Sequence, residues 1–187
     1  MSRKRGKSES WTGGTGDLNP QWMYCEFAPA TPTTTESVGF QVPINRTAVA
    51  ANRSAVMEIL KVIFEFPSAP VINNDAETTY YCFMGLSTKD HGAVDTCLVT
   101  PDVFAHKYID TQGAFTAAGT YAYMDDRQRE FECTDGAGHG VLVATDTIFA
   151  QLGSNSAAWG VKFRAKILYR IKYVSLAEYI GIVQSQQ

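Results

Sequence analysis

The chain has 187 residues, 45% hydrophobic and 19% charged, which suits one domain with a real core and excludes a disordered chain. No run approaches the roughly 20 apolar residues of a membrane-spanning helix. The opening Met1-Ser-Arg-Lys-Arg5 has no apolar segment behind it to make a secretory leader, so synthesis in the cytosol without secretion is expected.

The formal net charge of −3 conceals an uneven distribution. Arg3, Lys4, Arg5 and Lys7 fall in the first seven residues, and Lys162, Arg164, Lys166, Arg170 and Lys172 fall in one eleven-residue window, so nine of sixteen cations occupy two short segments. Such polarity suits one anionic partner met on one side.

In chain order, residues 1–19 mix those first cations with Gly, Ser and Thr, a composition that buries little and reads as a flexible arm. From Asn19-Pro20 the texture changes to aromatic and β-branched runs punctuated by Pro, Gly, Asn and Asp, so 20–187 is expected to be the folded domain. Strands are expected at 21–28, 37–44, 55–66, 78–86, 93–99, 120–124, 129–134, 140–145 and 161–173, with a further piece near 179–183. Many strands and no long amphipathic helix give an all-β sandwich or barrel.

Over 54–66 a helix competes, with Ser54 as a cap, Met57, Glu58, Leu60 and Lys61 as helix formers and Pro67 as a stop, but the Val-Ile-Phe-rich second half favours a strand. Short connecting helices are expected at 101–108, from Pro101, Asp102 and the spacing of Val103, Phe104 and Tyr108, and at 146–152, with Asp146 as cap.

The segment 161–173 is the most regular. Val161, Phe163, Ala165, Ile167, Tyr169, Ile171 and Tyr173 share one parity; Lys162, Arg164, Lys166, Arg170 and Lys172 share the other, interrupted by Leu168. Successive strand side chains point to opposite faces, so this is a strand about 40 Å long with an apolar core face and a cationic outer face. Solvated lysines that discourage edge pairing are one explanation of that face. The other is a phosphate-facing surface, in which each neutralised phosphate releases counterions and adds sequence-independent affinity. Tyr169 and Tyr173 have the wrong parity for base stacking on it.

Trp11-Thr-Gly-Gly-Thr-Gly-Asp-Leu-Asn-Pro-Gln-Trp22, after a basic start and before the first strand, resembles the beginning of coat proteins from small circular Rep-encoding single-stranded DNA viruses, and Val56-Met-Glu-Ile-Leu-Lys-Val62 is similar to a second shared segment. The resemblance implies a single jelly roll of eight strands in two four-stranded sheets. It also implies closure of about sixty copies into an icosahedral shell, an N-terminal arm directed at the genome, and residence in the virion after assembly in the host nucleus or cytoplasm. It makes 54–66 a strand. Arms in this class are often longer and richer in Arg; nine clustered cations in about sixty copies would match on the order of 540 phosphates. The expected nucleic-acid contacts are Arg3, Lys4, Arg5, Lys7, Lys162, Arg164, Lys166, Arg170 and Lys172.

Other chemistries are less well supported. Cys25, Cys82, Cys97 and Cys133 form no CxxC pair and read as buried free thiols. His91 lies six residues before Cys97, but neither occupies a nucleophile motif, so no enzyme is expected. Asp135-Gly-Ala-Gly-His-Gly140 lacks the Lys-Ser/Thr of a phosphate loop and reads as a connection. Asp125 and Asp126 with Glu130 or Glu132 match no standard calcium loop and suggest a solvated hairpin end. No cofactor, metal or membrane partner is expected. The alternatives are a β-barrel binding a small ligand, which leaves the basic segments unexplained, and the coat protein of a small RNA or satellite virus.

Overall fold

Alternating apolar and polar side chains organise the chain into strands, described in this computed structural model for residues 19–30, 35–44, 53–65, 72–73, 80–92, 100, 102–111, 120–121, 128–154 and 162–186. The strands are β1 (Gln21–Phe27), β2 (Glu36–Gln41), β3 (Arg53–Glu65), β4 (Ile72–Asn73), β5 (Tyr80–Ser87), β6 (Val103–Thr111), β7 (Thr120–Tyr121), β8 (Gln128–Glu132), β9 (Val141–Val143), β10 (Thr147–Ser154) and β11 (Phe163–Ser175), followed by helix α1 (Leu176–Ser185).

One sheet has the order β1-β11-β3-β8, with β9 also paired to β3; the second has the order β2-β10-β5-β6. The β4–β7 pair stands apart. All pairings are antiparallel. Because β11 occupies one edge of β3, β8 and β9 share the other and behave as one interrupted strand. Two four-stranded sheets in which spatial neighbours are distant in sequence make a jelly roll, as expected.

The inner faces meet in a core of Met57, Ile59, Val62 and Phe64 from β3, Phe163, Ala165 and Ile167 from β11, Met84 and Leu86 from β5, and Ile148, Ala150 and Leu152 from β10. The Phe163 ring stacks on Phe27 at 5.3 Å and meets the edge of Phe64 at 6.1 Å. Cys25 and Cys82 are buried free thiols, and Cys133 is half-buried. Burial pushes their thiol pKa values up to about 12, about 12 and about 11. Cys97 lies outside the described residues.

Strand β3 carries an irregularity that governs the site below. Lys61 pairs with Leu168 and Ile59 with Tyr169, so Leu60 is an extra residue, and its carbonyl accepts the Cys133 N–H at 3.0 Å. The bulge reverses parity along β3. Val56 and Glu58 face outward before it, and Lys61, Ile63 and Glu65 face outward after it, while the core residues stay inside. The helix alternative over 54–66 therefore fails.

Three expectations are corrected. The segment 101–108 is strand β6 rather than a helix, because Leu86 pairs with Ala105 and sets it in the core. The segment 146–152 belongs to β10, where Ile148, Ala150 and Leu152 alternate inward between β2 and β5. Strand pairing, on one edge for β6 and on both for β10, outweighs a local capping signal. Conversely, 179–183 lies in α1, not in a strand: the Ser175 hydroxyl accepts the Glu178 N–H at 3.3 Å in a Ser-x-x-Glu start. Tyr179, Ile182 and Val183, at helical spacing, pack on Val56, Leu142, Ala144 and Val174. The expected strand at 93–99 lies outside the described residues.

Candidate nucleic-acid interface

Strand β11 presents Arg164, Lys166, Arg170 and Lys172 on the outer face of the β1-β11-β3-β8 sheet, with Lys162 immediately before it, as the alternation predicts. Arg3, Lys4, Arg5 and Lys7 lie outside the described residues. The apolar parity is buried from Phe163 through Tyr169, after which Ile171 is half-buried and Tyr173 is 40% exposed.

At the C-terminal end of this face, Arg170 and Lys172 converge on Glu58, which is wholly buried. Glu58 Oε2 accepts from Arg170 Nε at 2.5 Å, Oε1 accepts from the Gly140 N–H at 2.9 Å, and Lys172 Nζ lies 3.7 Å away. Burial raises the carboxyl pKa, but the Arg170 and Gly140 hydrogen bonds and the two positive charges together outweigh it, and the net shift is downward. The Gly140 position admits no side chain, since a Cβ there would strike the Ile59 carbonyl.

The segment between β8 and β9 forms the cover over Glu58. Asp135 Oδ1 accepts the Ala137 and His139 N–H groups at 2.9 and 3.0 Å, and the Gly138 carbonyl accepts from Arg170 Nη2 at 3.2 Å. Helix α1 closes the same end. The Gln186 side chain donates to the Leu142 carbonyl at 2.5 Å and accepts the Ala144 N–H at 3.0 Å, extending the open edge of β9 as a neighbouring strand would.

The N-terminal end of β11 is different. Arg164 lies 3.5 Å from Glu26 and 3.8 Å from Glu65, and Lys61 bridges Glu130 at 3.1 Å and Glu132 at 3.5 Å. The Glu130 hydrogen bond, with the nearby negative charges, holds the Lys61 pKa up. Lys162 and Lys166 are exposed and make no ion pair among the described residues. Carboxylates supplied by the neighbouring strands were invisible in a window that contains none.

The sequence reading also missed two aromatic side chains on this face. Trp22 is 54% and Tyr24 49% exposed, and register sets Trp22 opposite Leu168 and Tyr24 opposite Lys166. The Tyr24 hydroxyl donates to Glu26 Oε2 at 2.8 Å. That hydrogen bond is the main cause of the lowered Glu26 pKa, with the Arg164 charge adding to it against desolvation. The signal was present in the alternation of β1, where Met23, Cys25 and Phe27 point to the core and Trp22, Tyr24 and Glu26 point away.

His91 Nε2 lies 2.5 Å from Asp102 Oδ2 and ties together the two ends of the β5–β6 connection; Cys97 lies outside the described residues. Glu130 and Glu132 are engaged by Lys61, while Asp125 and Asp126 lie outside the described residues. Among the described residues no His, Cys, Asp and Glu cluster with metal-ligating geometry occurs, and no helix is long and apolar enough to cross a membrane.

The fold defined by this strand order is a jelly roll. The chain is similar to VP1 of Merkel cell polyomavirus in complex with disialyllactose, at 9% identity over 87% of this chain and 98% of that one, with a TM-score of 0.53. It is also similar to the unassembled VP1 pentamer of the same virus, at 10% identity over 87% and 98% of the two chains and a TM-score of 0.52. VP1 of trichodysplasia spinulosa-associated polyomavirus in complex with GM1 oligosaccharide matches at 11% identity over 87% and 97%, with a TM-score of 0.51. At such identities the likeness establishes the fold. No protein-family model and no curated protein matches the sequence.

Proposed function

We propose that the chain is a viral coat subunit that self-assembles into an icosahedral shell, of about sixty copies, around a single-stranded DNA genome, as in the circular Rep-encoding viruses whose coat proteins its first third resembles. The observation that carries this reading is a jelly roll in which the five cations of 162–172 share the outer face of the β1-β11-β3-β8 sheet. In this role the protein is structural rather than catalytic and resides in the virion. The similarity to a VP1 pentamer supports homo-oligomeric assembly.

The cationic strand divides its work. Lys162 and Lys166, together with Arg3, Lys4, Arg5 and Lys7 of the N-terminal segment, are offered to phosphate. Arg164, Arg170 and Lys172 spend most of their charge on Glu26, Glu65 and Glu58 and hold the sheet that presents the other cations. Among the described residues two open sheets pack around a core of fully buried side chains, which favours this reading over a small-ligand barrel.

The test is expression of the full chain, size-exclusion chromatography with the 260/280 nm absorbance ratio, and negative-stain electron microscopy of the peak. Closed uniform shells with protected nucleic acid are expected, and DNase against RNase sensitivity of the extracted acid separates a DNA from an RNA genome. A monomer across salt and pH would overturn the coat reading.

A further inference from the structure

We propose that Trp22 and Tyr24, with Lys166 beside them, form a stacking platform for the unpaired bases of single-stranded nucleic acid. This rests on the nucleic-acid role proposed above and assigns the contact to rings that the charge pattern does not reveal.

Trp22 and Tyr24 leave about half of their surface in water on an edge strand, although large aromatic side chains are usually buried. They stand two residues apart on one face of β1, hence about 6.6 Å apart along the strand. That interval is nearly twice the roughly 3.4 Å spacing of bases along each strand of a duplex. Successive rings at this spacing accept bases already splayed from one another, so single strands fit and duplexes do not.

The charge around the rings suits the phosphates of the same strand. Lys166 is the register partner of Tyr24, which sets their Cβ atoms about 5 Å apart. Lys162, on the same face of the chain, lies about 13 Å further along β11, or two ring intervals. The carboxylate closest to the platform, Glu26, is occupied by the Tyr24 hydroxyl and by Arg164, which fixes the Tyr24 ring and screens an anion that would otherwise repel phosphate. Lys7 precedes Trp22 by fifteen residues, with Arg3, Lys4 and Arg5 just before it, so these cations are covalently tethered to the platform.

The experiment measures binding of the full-length chain by fluorescence anisotropy to four labelled probes with equal numbers of phosphates: oligo-dT, oligo-rU, an abasic oligonucleotide and a duplex. Oligo-dT and oligo-rU are expected to bind alike and about tenfold or more tighter than the abasic strand, because stacking needs a base and not a particular sugar. Trp22→Ala should weaken oligo-dT binding about fivefold or more without changing abasic binding, Tyr24→Ala should weaken oligo-dT binding at least as much, and Trp22→Phe should restore most of the loss. Equal affinity of the unmutated chain for oligo-dT and the abasic strand overturns the platform, and this comparison needs no variant to fold. Unchanged oligo-dT affinity in Trp22→Ala with loss of shell assembly also overturns it and gives the rings to a second copy of the chain. Failure of the two proposals is distinguishable: shells with no base preference sink the platform alone, whereas ring-dependent binding by a persistent monomer sinks the coat reading alone.

Discussion

At the C-terminal end of β11, Arg170 and Lys172 reach a carboxylate shut off from water, whereas Lys166, earlier on the same strand, and Lys162, just before it, stand in solvent towards the end that carries two exposed rings. The difference lies in the cover. Helix α1 and the Asp135–Gly140 connection close one end of the sheet, and nothing among the described residues closes the other. One alternating pattern of cations thus serves stability where a carboxylate stands within reach, as at Arg164, Arg170 and Lys172, and availability where none does, as at Lys162 and Lys166. Residue type sets neither outcome; the dielectric around each cation and the proximity of a carboxylate do.

The largest break in this contrast comes from Glu58→Ala, which leaves Arg170 and Lys172 without their shared carboxylate and uncovers the Gly140 N–H. A loss of about 3–5 kcal/mol in urea unfolding is expected. Acid tests the same carboxylate without mutation. Its folded pKa is depressed below the ordinary 4.5, so its contribution is fully present above that value and disappears as the pH falls through the folded pKa. Glu58→Gln should flatten this part of the stability profile below pH 4.5, and an unchanged acid limb would place the sensitivity elsewhere.

Gly140→Ala comes next, with about 1–3 kcal/mol lost as the added methyl displaces the cover from Ile59; a thermal midpoint equal to that of the unmutated chain would show that the cover yields freely. Ser175→Ala removes the N-cap of α1 and should cost about 1 kcal/mol, read as earlier loss of helical ellipticity on heating. Smallest of all, Lys162→Gln and Lys166→Gln should stay within about 0.5 kcal/mol of the unmutated stability. For binding to single-stranded DNA each should reduce the salt slope by about 0.7. A stability loss in either that matched Glu58→Ala would erase the distinction between the two ends.

Period-two alternation was legible in 162–173, where one face meets the core and the other carries the cations, because backbone geometry alone sends neighbours to opposite faces. In β3 it was obscured: the Leu60 bulge interrupts the alternation, and Val56 and Glu58, outward by parity, are nonetheless buried under the cover. The short helices expected at 101–108 and 146–152 rested on local caps that strand pairing overrode, and the Ser175-x-x-Glu178 start of α1 was written in the chain but read as part of a strand.

By itself the sequence determined the all-β class, the buried thiols at Cys25 and Cys82, and the cationic face of β11, since each follows from residue type and from a period the backbone imposes. Only the tertiary structure decided which carboxylates meet which cations, that Glu58 lies in a closed pocket, and that Trp22 and Tyr24 share a face with Lys166. Those relations join β1, β3, β8 and β11, strands far apart in the chain, and an antiparallel register between distant segments is set by their shared core rather than by the residues of either one.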